Sequence, residues 1–159
     1  MAGHDVPDTI YDGMLSSVTA ALADNPDPDR SVINLARLTD SSGNRLSFYR
    51  LLGSHPAFAK SLLFILGTSQ FLADLLARTP ENLEVISDPC IYSPSRPAES
   101  QFEYLERRVM ISPWPNGRRD ALRRAKPAEI LRIAVRDLLG ITDFETTVRD
   151  ISDFADSCI

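Results

Sequence analysis

Residues 129–159 constrain the fold more than any other part of the chain. They read EILRIAVRDLLG and then ITDFETTVRDISDFADSCI. In both parts apolar residues recur every three or four positions, which is the spacing of one helix face. Gly140 is a typical helix stop, and Thr142 with Glu145 has the spacing of a capping box. The segment therefore predicts two consecutive amphipathic helices, the first ending at Gly140 and the second capped by Thr142.

The same helical spacing fills most of the remaining sequence. Ser31 and Ser69 stand where N-caps are expected, and the apolar stretch before Gly67 is wide enough to predict a buried helix. The longest helical candidate covers 120–139, but Pro127 predicts a break or a kink near its start, so the helix is assigned to 128–139. Alternating runs of β-branched residues are essentially missing. We therefore expect an all-α fold, a bundle of seven to nine short helices, whose further members cover these stretches: 10–22, 31–38, 46–52, 57–66, 69–76, 80–86 and 98–110.

Bulk composition narrows the class of protein. A chain of 159 residues with 43% apolar and 25% charged residues has the size and balance of one globular domain. Its net charge of −5 does not favour nucleic acid as a partner, and no apolar run approaches the ~20 residues of a membrane span. The N-terminus lacks the features of a secretory signal, and two cysteines outside any metal-ligand spacing favour reduced thiols. These features predict a cytoplasmic protein that binds neither nucleic acid nor membrane.

Charge is unevenly distributed along the chain. Residues 1–30 carry six aspartates against one arginine, which predicts an acidic N-terminal segment with one helix, followed by a helical domain over 31–159. Residues 118–132 carry six basic groups against two acidic ones. This basic cluster has three readings: a solvated helix surface, a site for nucleotide phosphates, or a docking face for an acidic partner. As substrate or partner contacts we predict Arg118, Arg119, Arg123, Arg124 and Arg132.

No residue of the chain is predicted to be catalytic or to bind metal. The two histidines, His4 and His55, lie in no motif that would activate a nucleophile, and no glycine-rich phosphate loop is present. Asp150, Asp153 and Asp156 follow one another at helical spacing. A weakly specified metal site is one reading of these aspartates, and a solvated polar face is the favoured one.

Asp137 lies at the border of the apolar stripe of the first C-terminal helix. A carboxylate there is expected to accept hydrogen bonds, either from a neighbouring helix end or from an arginine such as Arg132 or Arg136. The prediction is a structural role for this side chain.

Four segments of the chain together resemble a known family. They are NLARLTDSSGNRLSFYRLL (34–52), LGTSQFLADLLARTPENLEVI (66–86), ALRRAKPAEILRIAVRDLLG (121–140) and ITDFETTVRDISDFADSCI (141–159). In this order they resemble segments of the glutamine synthetase adenylyltransferase/adenylyl-removing family. The last two resemble the arginine-rich helix and the linker helix ahead of that family's catalytic sheet. One departure is the insertion of Ala125–Ala128 after the arginines, where the family usually continues with an aromatic residue and further arginines.

The resemblance implies an activity that this chain does not carry alone. The family uses ATP and Mg²⁺ to transfer AMP to a tyrosine of glutamine synthetase, removes it by phosphorolysis in a second related domain, and responds to a PII signalling protein. Its catalytic signature, a glycine–serine turn with paired aspartates on a strand, is not found here. We therefore expect an inactive N-terminal helical portion, truncated before the catalytic sheet and belonging to the adenylyl-removing half. The alternative is a stand-alone helical interaction module without enzymatic activity.

Overall fold

The computed structural model describes residues 7–93, 116–158 and five positions between them, 102, 103, 106, 107 and 110; for 116 and 118 only the backbone is described. The described residues form eight α-helices and two 3₁₀ turns, with no strand, which confirms the all-α prediction. The five isolated positions are helical, and the rest of the helix predicted over 98–110 lies outside the described residues. The helices are α1 (Asp8–Leu22), α2 (Pro28–Ser41), α3 (Arg45–Ser54), α4 (Pro56–Thr68), α5 (Gln70–Arg78), α6 (Leu83–Ser87), α7 (Asn116–Leu138) and α8 (Phe144–Asp156), with 3₁₀ turns at Pro80–Asn82 and Pro89–Tyr92.

The chain divides into two compact units, Met1–Leu83 and Glu84–Ile159. In the first unit α1 packs against α3 and α4, and α2 packs against α4 and α5. Helix α4 is buried on most of its circumference, as its apolar sequence predicted. The separate division of the chain at residue 30, which rests on charge alone, stays a prediction. The fully buried large residues of this unit are Leu38, Leu52, Leu62, Leu63, Ile65, Leu66, Leu72 and Leu76.

Helix α2 begins earlier than predicted, so the assignment of Ser31 as its N-cap is wrong. Asp27 is the cap, its Oδ1 accepting from the Arg30 amide at 3.0 Å, and Pro28 occupies the first helical position. The turn preceding the helix supplies both residues, a combination suited to helix starts. Ser31 instead lies fully buried one turn inside the helix, with its hydroxyl 2.9 Å from the Leu63 carbonyl oxygen of α4.

Helix α7 in the second unit runs without a break through Pro127, contrary to the predicted span of 128–139. A proline costs the helix one hydrogen bond, here to the carbonyl of Arg123. Because Arg123 is exposed, water can satisfy that carbonyl. The arginine-rich segment and the apolar segment therefore belong to one continuous helix.

The connection from α7 to α8 follows the predicted stop but not the predicted cap. Gly140 has φ +66°, its amide donates to the Asp137 carbonyl at 3.0 Å, and the Ile141 amide donates to the Arg136 carbonyl at 2.9 Å. This is the Schellman arrangement, which needs the left-handed conformation that glycine tolerates. The N-cap of α8 is Asp143 rather than Thr142.

Ordinary cap geometry explains the shift by one residue. The Oδ1 atom of Asp143 accepts from the Thr146 amide at 2.8 Å, while the Thr142 hydroxyl lies 3.1 Å from that of Thr147. Aspartate is the stronger N-cap of the two adjacent candidates. The capping box predicted for Thr142 and Glu145 is therefore wrong.

Among the described residues, no single helix combines the length and the apolar composition needed to cross a membrane. Helices α4 and α5 meet that test only when they are joined, and the chain bends by 116° between them.

Candidate functional site on helices α7 and α8

The exposed part of the basic cluster lies on the first half of α7. Arg119, Arg123, Arg124 and Lys126 are all exposed, and spacings of four and three place Arg119, Arg123 and Lys126 on one side of the helix. An ion pair at 3.6 Å joins Arg123 to Asp120, but both side chains are more than half exposed. Such a pair contributes little to stability, so these cations are available to a partner.

Of the five predicted contact residues, Arg132 stands apart from this surface. Arg118 lies outside the described residues as far as its side chain is concerned. The guanidinium of Arg132 faces α8, and its side chain is only 12% exposed. Its Nε donates to Glu129 Oε1 at 2.7 Å, and its Nη2 lies 3.5 Å from Asp150 Oδ2. The structure thus exposes Arg119, Arg123 and Arg124 on the same half of α7, with Arg124 about 100° around the helix from Arg123. A partner contact for any of the five stays a prediction.

Glu129, Arg132 and Asp150 form a buried charge cluster between α7 and α8. The two carboxylate side chains are 4% and 5% exposed. The favoured reading of Asp150 as part of a solvated face is therefore wrong, whereas Asp156 is exposed and Asp153 is half-buried. Burial of charge is tolerated when opposite charges and hydrogen bonds compensate it. The cluster ties the two helices together and fixes their register.

A second buried arginine extends this polar core. Arg136 is 3% exposed, and its Nη1 donates to the carbonyl oxygens of Ile91, at 2.6 Å, and of Ser93. Burial, followed by the nearby positive charge of Arg132, lowers the pKa of Arg136 from its ordinary value. This side chain holds the 3₁₀ turn at Pro89–Tyr92 against α7.

Asp137 has the structural role predicted for it, and of the two expected donors the neighbouring helix supplies the bond. Its Oδ1 accepts from the Thr147 hydroxyl in the first turn of α8 at 3.0 Å. Thr147 is buried, whereas Asp137 is exposed. The bond adds a polar contact at the end of the helix pair where the Schellman turn lies.

Sequence reasoning missed the buried charges, although two local signals were present. Glu129 and Arg132 are three apart, a spacing at which opposite charges meet on a helix. Asp150 lies three residues after Thr147 and four before Phe154, so it shares one side of α8 with an aromatic residue. The apolar pattern as a whole is centred elsewhere, on the side that carries Phe144, Ile151 and Ala155, and that side is exposed. A carboxylate on a core-facing side indicates a buried cation opposite it.

Apolar contacts accompany the charges between the helices. Ala125, Ile133 and Phe154 form a buried cluster, with Ile130 and Cys158 packed against it. Burial raises the pKa of the Cys158 thiol, which favours its neutral form. The cysteine therefore belongs to the packing of the pair.

The outer side of α8 carries what we call the α8 apolar stripe, defined as Phe144, Val148, Ile151 and Ala155. All four residues are exposed, and the three large ones by 82%, 45% and 54%. Their spacing of four, three and four residues places them on one side of the helix. This surface is distinct from the side that packs on α7.

Within the described residues, no three His, Cys, Asp or Glu side chains are grouped so that they would hold a metal ion. The acidic residues of α8 illustrate why, since Asp150 is engaged by Arg132 and Asp156 points to solvent.

Comparison with known proteins decides the family. The family model described as glutamate–ammonia ligase adenylyltransferase matches residues 59–159, which include the whole α7–α8 pair. The chain belongs to this family. The resemblance inferred from four sequence segments is confirmed. No solved structure matches the chain.

Full-length relatives of this family member share the same name, bifunctional glutamine synthetase adenylyltransferase/adenylyl-removing enzyme. The protein of Cutibacterium acnes is 28% identical over 151 residues, which cover 94% of this chain and 15% of the relative. That of Nocardia farcinica is 29% identical, covering 87% of this chain and 14% of the relative. That of Mycolicibacterium smegmatis is 32% identical, covering 82% and 13%. The chain thus spans about 15% of the length of the curated relatives it matches.

Proposed function

We propose that this chain is a helical, non-catalytic part of a glutamine synthetase adenylyltransferase/adenylyl-removing system, and that the exposed arginines of α7 contact glutamine synthetase. The family match across residues 59–159 carries the proposal. The names of the relatives supply the target protein.

The described geometry supports a binding role better than a catalytic one. Arg119, Arg123 and Arg124 project from a helix whose position is fixed by the buried charge cluster. A surface on a rigid element loses little conformational freedom when it binds. Guanidinium groups bind carboxylates through paired hydrogen bonds, so an acidic surface of glutamine synthetase is the expected counterpart.

Transfer of AMP belongs, in this proposal, to polypeptide other than the described residues. ATP and Mg²⁺ would bind there, and the family's description as an adenylyltransferase supports both as cofactors of the full-length enzyme. Response to a PII protein, a cytoplasmic location, and the lack of nucleic-acid and membrane partners are further parts of the proposal. The net charge of −5 supports the exclusion of nucleic acid.

A binding experiment with charge reversal tests the contact. Immobilised glutamine synthetase is titrated with the wild-type chain and with the double variant Arg123→Glu/Arg124→Glu. We expect the dissociation constant to rise by about tenfold or more. A tenfold rise is a loss of ~1.4 kcal/mol of binding free energy, which two reversed charges at the contact should easily cause. The free energy of unfolding of the variant should lie within about 0.5 kcal/mol of the wild-type value, because both side chains are exposed.

The matched control is Arg45→Glu/Arg50→Glu on α3. It makes the same change in net charge at two other exposed arginines. Binding should be unaffected. Equal weakening by both double variants would show that only net charge matters, and absence of binding by the wild-type chain would contradict the proposed contact.

A further inference from the structure

The α8 apolar stripe is part of an apolar surface wider than α7 covers. Thr147, Asp150 and Phe154 form the side of α8 that is buried. At 100° per residue, the stripe begins next to Phe154, so the apolar surface of α8 continues from the buried side onto the exposed side. Beyond the stripe the surface turns polar, with Glu145, Ser152 and Asp156 exposed. One helix, α7, therefore satisfies only part of the apolar surface of α8.

The size of the stripe fits a second helix. From Phe144 to Ala155 it extends over about 16 Å, or three turns. Phe144, 82% exposed, is the most exposed of the large apolar residues in the described structure. Exposed apolar residues scattered singly are normal, but three large ones aligned on one side of a helix are typical of an interface.

Charge at the ends of α8 argues against a second copy of this chain as the occupant. Glu145 near its start and Asp156 at its end are both exposed, and at 100° per residue both lie on the flank of the stripe next to Val148. An antiparallel pairing of two stripes would bring the acidic start of one copy beside the acidic end of the other. A parallel pairing would align identical acidic residues. Arg149 is the one basic residue of α8, and it already pairs with Glu145 at 3.3 Å. Like charges oppose both arrangements.

The relatives contain a candidate source of the occupant. In the Cutibacterium acnes relative, the region matching this chain is 15% of the protein, so most of its polypeptide lies outside that region. The same holds for the relatives from Nocardia farcinica and Mycolicibacterium smegmatis. Because two copies of the α8 apolar stripe pair poorly with each other, polypeptide of such an enzyme outside the matched region is the better candidate partner.

We infer that the α8 apolar stripe is a docking surface for an amphipathic helix from the part of the adenylyltransferase/adenylyl-removing polypeptide outside the matched region. That helix presents an apolar face to the stripe and basic residues to the acidic ends of α8. The inference rests on the proposed function, because it takes the chain to work together with that polypeptide. It does not involve the arginines of α7.

A chimera tests the inference in an intact enzyme. The matched region of the Mycolicibacterium smegmatis enzyme is replaced by the corresponding residues of this chain, and Ile151→Lys is made both in the chimera and in the chain alone. In the chain alone Ile151 is 54% exposed, so its melting temperature should be nearly unchanged. In the chimera the melting temperature should fall by several degrees, because the lysine then enters an apolar interface. Ser152→Lys, the neighbouring exposed position outside the stripe, should leave both proteins unchanged.

Chemical labelling provides a second test, which measures the exposure of position 144 directly and does not depend on a destabilising substitution. A cysteine placed at Phe144 is labelled with a maleimide, and the modification is quantified by mass spectrometry of that peptide. Labelling should be about an order of magnitude slower in the chimera than in the chain alone, whereas a cysteine at Glu145 should react equally fast in both.

Three results would overturn the inference. One is equal labelling of Phe144→Cys in the two contexts, together with no effect of Ile151→Lys in the chimera. The second is a dimer of the chain alone in analytical ultracentrifugation that Ile151→Lys dissociates, since a second copy would then cover the stripe. The third result comes from an experiment for the case that the chimera is insoluble. The chain is co-expressed with the Mycolicibacterium smegmatis enzyme from which the matched region has been deleted, and the inference is overturned if the two proteins do not co-purify. Loss of glutamine synthetase binding would change none of these measurements, so the two proposals fail separately.

Discussion

The first unit and the α7–α8 pair join their helices by different kinds of contact. In the first unit, helices α1–α5 meet through fully buried aliphatic side chains and through neutral polar groups such as Ser31 and Asn34, which bond backbone carbonyls of α4. In the α7–α8 pair, a guanidinium and two carboxylates are buried between the helices.

The difference determines how each region responds to change. Each neutral contact contributes little to stability, and the loss of one hydrogen bond lowers the free energy of unfolding by about 1 kcal/mol. A buried charge cluster is sensitive to the loss of any member, because the remaining charges keep their desolvation cost. The first unit should therefore be sensitive to shape and the α7–α8 pair to charge.

The largest effect is expected from Arg132→Met, which keeps most of the side-chain volume and removes the charge. Glu129 and Asp150 then lose the guanidinium that they share. We expect the free energy of unfolding to fall by about 3 kcal/mol or more. Urea denaturation followed by circular dichroism measures it.

The control for this substitution is Arg149→Met on α8, which removes an exposed arginine paired with Glu145. It should cost no more than about 1 kcal/mol. If both substitutions destabilised the protein equally, burial of the charge cluster would have no special importance and the contrast between the two regions would disappear.

Shape sensitivity in the first unit is tested by Gly67→Ala. A Cβ atom there would lie 2.4 Å from Ser31 Oγ and 2.9 Å from the Asp27 carbonyl oxygen. Overpacking of this kind costs about 1–3 kcal/mol, which thermal and urea unfolding would detect. Gly43→Ala is the control, because no atom lies within 4 Å of its Cβ position and its φ is not positive. An equal effect at both glycines would remove the argument from close packing.

A smaller loss of stability is expected at Gly140, where glycine is needed for its backbone conformation and not for lack of room. A Cβ at Gly140 meets no atom within 4 Å, but its φ of +66° is left-handed. Gly140→Ala should destabilise the protein by about 1–2 kcal/mol, and Gly140→Asn by less, since asparagine tolerates this conformation better. Identical losses in the two variants, measured by urea unfolding, would argue against the Schellman turn as the cause.

The smallest effect concerns pH and the cap of α8. Hydrogen bonds from the Thr146 hydroxyl and amide lower the pKa of Asp143 from its ordinary value. A lowered folded-state pKa contributes stability above the unfolded-state pKa, and this contribution is lost as the pH falls through the folded-state value. Stability of the wild type should therefore decrease slightly more than that of Asp143→Asn between about pH 5 and pH 2. Parallel pH profiles would contradict a contribution from the charged cap.

Helix periodicity predicted most of the fold because apolar spacing reports directly on which side of a helix is buried. The buried α4 and the second half of α7 followed from it, whereas the break expected at Pro127 wrongly separated the first half of α7. The stop at Gly140 followed from the glycine itself. Helix starts were less predictable, since several neighbouring residues can often act as the N-cap. Asp143 adjoins Thr142, and Asp27 precedes Ser31 by one turn, so the choice depends on backbone geometry.

The charged core of the candidate site could not be predicted from spacing alone. The spacing of Glu129 and Arg132 also fits a pair on a solvated helix surface. Only the packing of α8 makes them a buried pair. Asp150 completes the cluster from a position 18 residues further along the chain. By contrast, Arg119, Arg123 and Arg124 are as exposed as their sequence context indicates.

The most direct test of the account is an assay of AMP transfer by the chain alone. Purified chain is incubated with glutamine synthetase, Mg²⁺ and ATP labelled in the α-phosphate, and the label on glutamine synthetase is measured against a reaction without the chain. The account predicts binding without transfer, so both reactions should give the same background. Label transferred in proportion to the amount of chain would show that these 159 residues contain a catalytic site, and would contradict it.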